Sequence, residues 1–310
     1  RRTQRARRTL AWRLAMILFL IVAMFGVQPA NAAPAGTALQ FDGTTTNKQY
    51  VTFGPAPGLG VTTFTLEAWI KRGTGGATMS TGTLGFDGGA GRPNGAYPIL
   101  TKGMGEGDNV ANLNTNFFLG ITATGVVGAD FEDKSGGVNH PIWGSTQVPI
   151  GEWHHVAATY SGTCWVLYLD GSPETMNGTT CPNATPESSS IQHAGLAAGL
   201  SSTGTLATGF FAGSIDEARI WNRALTPIEI QANKNAELSS GDGLIARWGI
   251  NEGSGTTLSS SVGSLPGTIK SSTTIYPAWV AGFPLPDLIP PGAPTALTAT
   301  PRSAAVALSW

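Results

Sequence analysis

Charged residues are scarce in this sequence: they make up 12% of its 310 positions, whereas glycine occurs 42 times, proline 20 times and tryptophan nine times. This profile argues against long helices and is typical of many short strands joined by tight turns. The length fits one large β domain or two smaller ones. The composition therefore predicts an all-β protein.

Cysteine occurs only twice, at Cys164 and Cys181. Two thiols are too few for a structural zinc site. In an exported chain, two cysteines that flank a short loop most simply form one disulfide, and the alternative is a pair of free buried thiols.

Histidine is also rare, and its positions do not favour a zinc site. His154 and His155 are adjacent in a predicted strand, so their side chains point to opposite faces. His140 and His193 have no acidic or cysteine partner at ligand spacing. We expect all four to be hydrogen-bonded structural histidines.

The N-terminus has the three parts of a secretory signal peptide. Six arginines within the first 13 residues precede an apolar run at residues 14–27 and then Ala30-Asn31-Ala32. The run is shorter than the ~20 residues that a membrane span needs. We therefore expect a signal peptide at residues 1–32, no membrane span after its cleavage, and a secreted, extracellular or cell-surface protein.

Cleavage would change the charge balance. Removing those six of the 18 basic residues leaves 12 against 19 acidic residues. A surface with this excess of acid repels phosphate backbones, so nucleic acid is not an expected partner.

Two long segments of the sequence resemble those of a known family. Residues 153–160 and 165–169, followed by Asp170-Gly171, have the composition of a β-hairpin. This hairpin and the segment at residues 210–225 resemble laminin-G-like and pentraxin-like domains, which are concanavalin A-like jelly rolls. Phe41-Asp42-Gly43 resembles the opening of such a domain.

The resemblance implies a jelly-roll sandwich of two antiparallel sheets at residues 36–284, with one short edge helix. Residues 64–71 alternate as a half-buried strand should. Thr226, Pro227 and Glu229 form the N-terminal signature of the helix, with threonine as cap and proline at the first position.

The end of the chain predicts two further segments. Residues 285–293 are a proline-rich linker, and residues 294–310 resemble the first two strands of a fibronectin type III domain. Since the chain starts at Arg1 and ends in a predicted strand, we expect it to be a fragment of a longer protein.

The resemblance also implies a calcium ion that joins the opening and closing strands through Asp42 and Asp216. The alternative is that Asp42 closes a turn while Asp216 pairs with Arg219 or caps an edge. Three further acidic residues in loops are weaker candidates: Asp87, Glu106 and Asp108.

Motifs of common enzymes are missing. There is no Gly-x-Ser-x-Gly elbow and no phosphate-binding loop with its lysine. Related sandwiches host glucan hydrolases, and Asp130 and Glu132 lie on one face of a predicted strand. Their surroundings lack the Glu-x-Asp-x-x-Glu signature, so we predict no catalytic residue.

Three aromatic residues in predicted loops could contact a ligand: Trp143, Tyr97 and Phe86. The alternative for each is packing against the sheet. We expect a non-catalytic recognition module for carbohydrate or an extracellular protein, with calcium as its cofactor. The alternative is a spacer in a larger extracellular hydrolase, and glycoside cleavage within this domain has the least support.

Overall fold

A computed structural model describes residues 36–107, 110, 112–285, 298–302 and 305–309. The predicted signal peptide, linker residues 286–293, residues 294–297 and Asp108 lie outside the described residues.

Described residues 36–285 form nineteen strands, a 3-10 turn at Pro57–Leu59 and one helix, α1 at Pro227–Asn233. The strands in chain order are β1 Thr37–Asp42, β2 Tyr50–Gly54, β3 Phe64–Arg72, β4 Ala96–Lys102, β5 Phe117–Thr122, β6 Val126–Asp130, β7 Ile142–Gln147, β8 Trp153–Tyr160, β9 Trp165–Leu169, β10 Ser172–Pro173, β11 Asn177–Gly178, β12 Ala194–Leu196, β13 Gly199–Leu200, β14 Ala207–Thr208, β15 Ala212–Trp221, β16 Leu244–Trp248, β17 Thr257–Leu258, β18 Gly267–Lys270 and β19 Ala278–Ala281.

The strands form two large antiparallel sheets. The eight-stranded sheet has the order β10-β9-β8-β3-β15-β1-β19, with β16 pairing to β15. The nine-stranded sheet has the order β11-β7-β6-β5-β4-β12-β2-β18-β17, and β13 pairs with β14 separately. Several neighbours in each sheet are far apart in sequence, such as β3 with β15 and β2 with β18, as in a jelly roll. The predicted fold class is confirmed.

The main core lies between the sheets. Phe64, Leu66, Ala68 and Ile70 of β3 pack into it on one face, as their alternation predicted. Burying each such side chain contributes about 1.5–3 kcal/mol to folding. The prediction that β3 is half-buried was wrong, because Glu67 and its neighbours on the opposite face are buried as well.

A buried ionic network lies on that opposite face. The Glu67 carboxylate is 3.1 Å from His155 Nε2 and 3.4 Å from Arg219 Nη1. Arg219 Nη2 donates to Glu217 over 2.9 Å, and Arg247 Nε donates to Glu217 over 2.8 Å. Burial alone would raise the pKa of Glu67, but the bond from His155 and the charge of Arg219 outweigh it and lower the pKa to about 2.

Helix α1 begins as the sequence predicted. Glu229 N–H donates to Thr226 Oγ1, Thr226 N–H donates to the Glu229 carboxylate, and Pro227 occupies the first turn. Ile230 packs beside Trp221 in a small apolar cluster. Within the described ranges, no helix is long and apolar enough to cross a membrane.

The two cysteines form the predicted disulfide. The Cys164 and Cys181 sulfurs are 2.06 Å apart, and the bond closes a loop with a sequence separation of 17. It therefore ties the start of β9 to the segment that follows β11.

A pair of strands follows the sandwich in sequence. The backbones of β20 Thr298–Arg302 and β21 Ala305–Ser309 pair in antiparallel fashion. Two paired strands fit the expected start of a second β domain, and its assignment to the fibronectin type III family stays a prediction.

Candidate functional site

A long segment covers the outer face of the nine-stranded sheet. We call residues 73–95, between β3 and β4, the strap. Phe118 points away from the main core and packs with Met79 and Phe86 of the strap, and the two phenylalanine rings are 5.8 Å apart. A Cβ at Gly128 would lie 2.9 Å from the Phe86 ring, so glycine permits this close approach.

Asp130 fastens the strap to the sheet. Its Oδ2 accepts a hydrogen bond from Thr81 Oγ1 over 2.5 Å, and its Oδ1 accepts one from His140 N–H over 2.8 Å. Burial and the charge of Glu132 raise the pKa of Asp130 well above its usual value. The carboxyl of Asp130 is fully buried under the strap.

A pocket of about 270 Å³ opens beside the strap. Strap residues form one side, and residues near the start of β7 and the end of β11 form the other. Its lining residues are Leu84, Ala90, Arg92, Asn139, His140, Pro141, Trp143, Gly178 and Thr179.

Trp143 gives the pocket its aromatic surface. It lies on β7 opposite Gly128 of β6 and Asn177 of β11, and its side chain is partly exposed. Gly178 has a φ of 93°, and a Cβ there would lie 2.4 Å from Pro141 O and 3.2 Å from the Trp143 ring. Glycine at this position therefore keeps the space beside the indole open.

Arg92 is oriented by an ion pair within the strap. Its Nε and Nη2 donate to the two oxygens of Asp87 over 2.8 and 3.1 Å. Asp87 also accepts from the N–H groups of Leu84 and Gly89. The bonds from Arg92 and from Gly89 N–H hold the pKa of Asp87 well below its usual range. Within the described chain, Arg92 Nη1 has no hydrogen-bond partner.

His140 is also held by a carboxylate. Its Nε2 is 3.0 Å from Asp133 Oδ2, and its ring lies 4.9 Å from the Phe131 ring. Burial would raise the pKa of Asp133, but bonds from His140 and Gly136 N–H lower it. Asp133 lies seven residues earlier in the sequence, and a turn of the chain brings it back to His140, which is hydrogen-bonded as the sequence predicted.

The amide nitrogen of Asn139 is engaged in hydrogen bonds, whereas its amide oxygen is not. Its Nδ2 donates to Thr83 O over 3.0 Å and to Glu132 Oε1 over 3.4 Å. Its Oδ1 is buried and has no hydrogen-bond partner among the described residues. Asn139 thus links the strap to the sheet and retains one unused acceptor, which is buried beside Gly85 of the strap.

The carboxylates of Asp130 and Glu132 hold loops in place. Glu132 accepts hydrogen bonds from Thr115 N–H and Asn139, and Asp130 binds Thr81 of the strap. Both side chains are fully buried. A glycosidase needs two carboxyl groups that flank an accessible bond, and this arrangement does not present the pair to a substrate.

The structure brings one of the three predicted ligand-contacting aromatics into the pocket. Trp143 lines it, whereas Phe86 has no exposed surface and packs from the strap against Phe118 of the sheet. Tyr97 packs against the main core. Arg92 and Asn139 were missed in the sequence, although Arg92 follows the glycine-rich stretch at residues 88–91 and Asn139 lies four residues before Trp143.

The two residues predicted to bind calcium lie apart. In the pairing of β1 with β15, Asp42 faces Ala212, four residues before Asp216. At about 3.3 Å per strand residue, this offset is about 13 Å. Asp42 accepts hydrogen bonds from Thr44 and Asn47 and closes a turn.

Asp216 is buried and bound to backbone N–H groups. Its Oδ1 accepts from Glu217 N–H and its Oδ2 from Phe283 N–H, each over 2.8 Å. A Cβ at Gly282 would lie within 2.9 Å of Asp216 Oδ2 and of the carbonyl oxygens of Gly36 and Thr37. Glycine at position 282 therefore lets the chain pass close to these three oxygens.

The other acidic candidates are engaged as well. Asp87 pairs with Arg92, and Glu106 accepts a hydrogen bond from Ser202 N–H. Arg219 pairs with Glu67 and Glu217 rather than with Asp216. Among the residues that the structure describes, no three His, Cys, Asp or Glu side chains form a metal-binding group.

Comparison with known proteins supports the fold. A laminin-G family model, described as the concanavalin A-like lectin/glucanases superfamily, matches residues 44–231. Among solved structures, the chain is similar to a candidate carbohydrate-binding protein from Bacteroides ovatus, with 17% identity and a TM-score of 0.52. That alignment covers 79% of this chain and 62% of the Bacteroides protein. No curated protein sequence matches the chain.

Two further structures are more distant. A heptameric SAP-like pentraxin from Limulus polyphemus has 14% identity and a TM-score of 0.45, over 77% of this chain and 96% of the pentraxin. The CBM40 domain of a Ruminococcus gnavus sialidase has 15% identity and a TM-score of 0.44, over 63% of this chain and 97% of that domain. At these identities the likeness concerns the fold alone.

Proposed function

Since the chain belongs to the concanavalin A-like lectin/glucanases superfamily, we propose that it is a carbohydrate-binding domain whose ligand occupies the pocket beside Trp143. The chain acts by recognition rather than by catalysis in this proposal. The burial of Asp130 and Glu132 under the strap supports that choice.

The chemistry of the pocket carries the proposal. A sugar ring presents an apolar C–H face and a rim of hydroxyl groups, so it needs an aromatic surface with a few fixed polar groups around it. Trp143 supplies the surface. Arg92, Asn139, His140 and Thr179 supply polar groups in the same pocket.

Export is part of the same proposal. The disulfide between Cys164 and Cys181 is typical of oxidising compartments outside the cytosol. The signal-peptide pattern at residues 1–32 agrees with it. The strand pair β20–β21 favours a second role as a spacer that connects this sandwich to a further domain.

A glycan-array screen followed by titration calorimetry tests the proposal. We expect the purified chain to bind at least one glycan, and Trp143→Ala to weaken that binding about tenfold or more, since aromatic anchors dominate such sites. Trp153→Ala is the matched control, because Trp153 is partly exposed on the other sheet. It should bind like the wild type.

Repeating the screen in calcium and in chelator tests the calcium prediction separately. Binding that the chelator abolishes would support it despite the separation of Asp42 and Asp216. Absence of binding to every glycan, by a chain shown to be folded, would contradict the carbohydrate proposal and favour the spacer role.

A further inference from the structure

The positive charge in the pocket is already neutralised. Among the described residues that line it, Arg92 is the one with a permanent positive charge. Two of its nitrogens donate to Asp87, which has four hydrogen bonds and a pKa held well below its usual range. A ligand anion would have to compete with this fixed intramolecular carboxylate.

The wall behind the pocket is acidic. Asp133 Oδ2 lies 3.0 Å from the lining residue His140, and Glu132 Oε1 lies 3.4 Å from the lining residue Asn139. Hydrogen bonds from His140 and Gly136 lower the pKa of Asp133, so it is ionised at neutral pH. The Asp133 carboxylate has the same sign as a ligand anion and would repel it across the wall.

We infer that the pocket selects uncharged sugar units and discriminates against anionic ones such as uronic and sialic acids. This inference rests on the proposed function and specifies its ligand class. Specificity of this kind comes from repulsion of the wrong ligand as much as from contacts to the right one.

The free polar groups suit hydroxyls. Arg92 Nη1 has unused donors within the described chain, and the Thr179 hydroxyl lines the same pocket. A sugar hydroxyl can accept from Arg92 Nη1 and can also donate to a hydroxyl such as that of Thr179, whereas a carboxylate can only accept.

The volume sets the ligand size. Ligand pockets usually span about 300–1,000 Å³, and this pocket of about 270 Å³ lies just below that range. It accommodates about one sugar ring, so a charged group could not be placed far from the acidic wall.

Calorimetric titration of matched ligand pairs tests the inference. In two pairs a carboxylate replaces one CH2OH group: galactose with galacturonate, and glucose with glucuronate. A third pair, lactose with sialyllactose, adds a complete sialic acid residue. For each pair in which the neutral member binds, we expect the acidic member to bind about fivefold more weakly or worse at low ionic strength. The difference should narrow at about 0.5 M salt because salt screens the repulsion.

Acidic members that bind as tightly as the neutral ones, or more tightly, would overturn the inference and leave the carbohydrate proposal intact. Absence of binding by every sugar, neutral or acidic, would contradict the carbohydrate proposal itself. The two failures are therefore distinguishable in one experiment.

Asp87→Asn provides a test on the protein side. It frees the Arg92 guanidinium, so the affinity for acidic sugars should rise several-fold relative to the affinity for neutral sugars. Asp242→Asn is the control, because Asp242 pairs with Arg223 at 3.5 Å outside the pocket lining. It should leave both affinities unchanged.

Arg92→Gln covers the case in which Asp87→Asn unfolds the strap. This variant removes the positive charge and keeps Asp87, so the neutral-to-acidic affinity ratio should widen. A ratio that stays constant in folded protein would contradict the electrostatic basis of the selection. Thermal melts of all variants establish that they are folded.

Discussion

At the single residue Asp216, burial makes the contribution of a carboxyl group to folding stability depend on pH. Burial and the nearby charge of Glu217 raise its pKa to about 8, against the lowering effect of bonds from Phe283 and Glu217 N–H. A carboxyl group that binds its proton more tightly when folded favours folding at low pH. This contribution decreases as the pH rises from about 4 and is lost once the pH passes about 8.

Asp216→Asn should therefore change the pH dependence of stability. We expect the variant to gain in melting temperature relative to the wild type as the pH rises from 5 to 9, because the amide does not ionise. Thermal melts across this range measure the difference. Asp242→Asn, at an exposed carboxyl group, is the control, and a wild-type-to-variant difference that is constant with pH would contradict the assignment.

The sequence was least successful in predicting whether an individual side chain is buried or lines the pocket. Trp143, predicted to contact a ligand, lines the pocket, whereas Phe86, chosen on the same grounds, is fully buried. An aromatic residue in a glycine-rich loop has no local periodicity that indicates its orientation. Only the approach of Phe118 from another strand decides that Phe86 packs inward.

Individual elements were predictable wherever the signal is local. The cap of α1 and the inner face of β3 follow from residues three or two positions apart, which share a helix turn or a strand face. The strap has no such pattern. Its order comes from contacts distant in sequence, such as Thr81 with Asp130 and Ala77 with Phe210.

The disulfide joins two elements, and we expect its loss to affect both stability and binding. Replacing both cysteines with serine should cost about 3 kcal/mol in the free energy of unfolding for a loop of this length. Binding should weaken as well, because Gly178 and Thr179 of the pocket lie two or three residues before Cys181. Urea unfolding and sugar titration measure the two effects.

The single variants Cys164→Ser and Cys181→Ser are the matched controls. Either one breaks the bond, so each should lose about as much stability as the double variant. Losses that add across the two positions would show that the effect comes from the side chains rather than from the cross-link.

At the scale of the whole molecule, the resemblance of two sequence segments to laminin-G-like and pentraxin-like domains predicted the sandwich and its single helix. It did not predict the offset between β1 and β15 that separates Asp42 from Asp216. Register depends on which strands meet and at which residue, and a change of one residue reverses every side chain. A pocket built from the strap, β7 and β11 requires the same long-range information.

The strap has a consequence for polymeric ligands. It packs over β4, β5 and β6 of the nine-stranded sheet, where an extended polysaccharide could otherwise lie, and it leaves a pocket for about one ring. Affinity should then rise little from a monosaccharide to a hexasaccharide of the same terminal unit. Calorimetry on such a series measures this, and a steady gain with each added unit would show that the polymer lies along the sheet.

The amount of such a domain that a glycan binds would depend on the number of its chain ends, which rises with branching, rather than on the length of its chains. Two polysaccharides of equal mass would then bind different amounts of the protein if one is linear and the other highly branched. Enzymes that trim or add terminal sugars would change the number of binding positions on a surface without changing how much polymer it has.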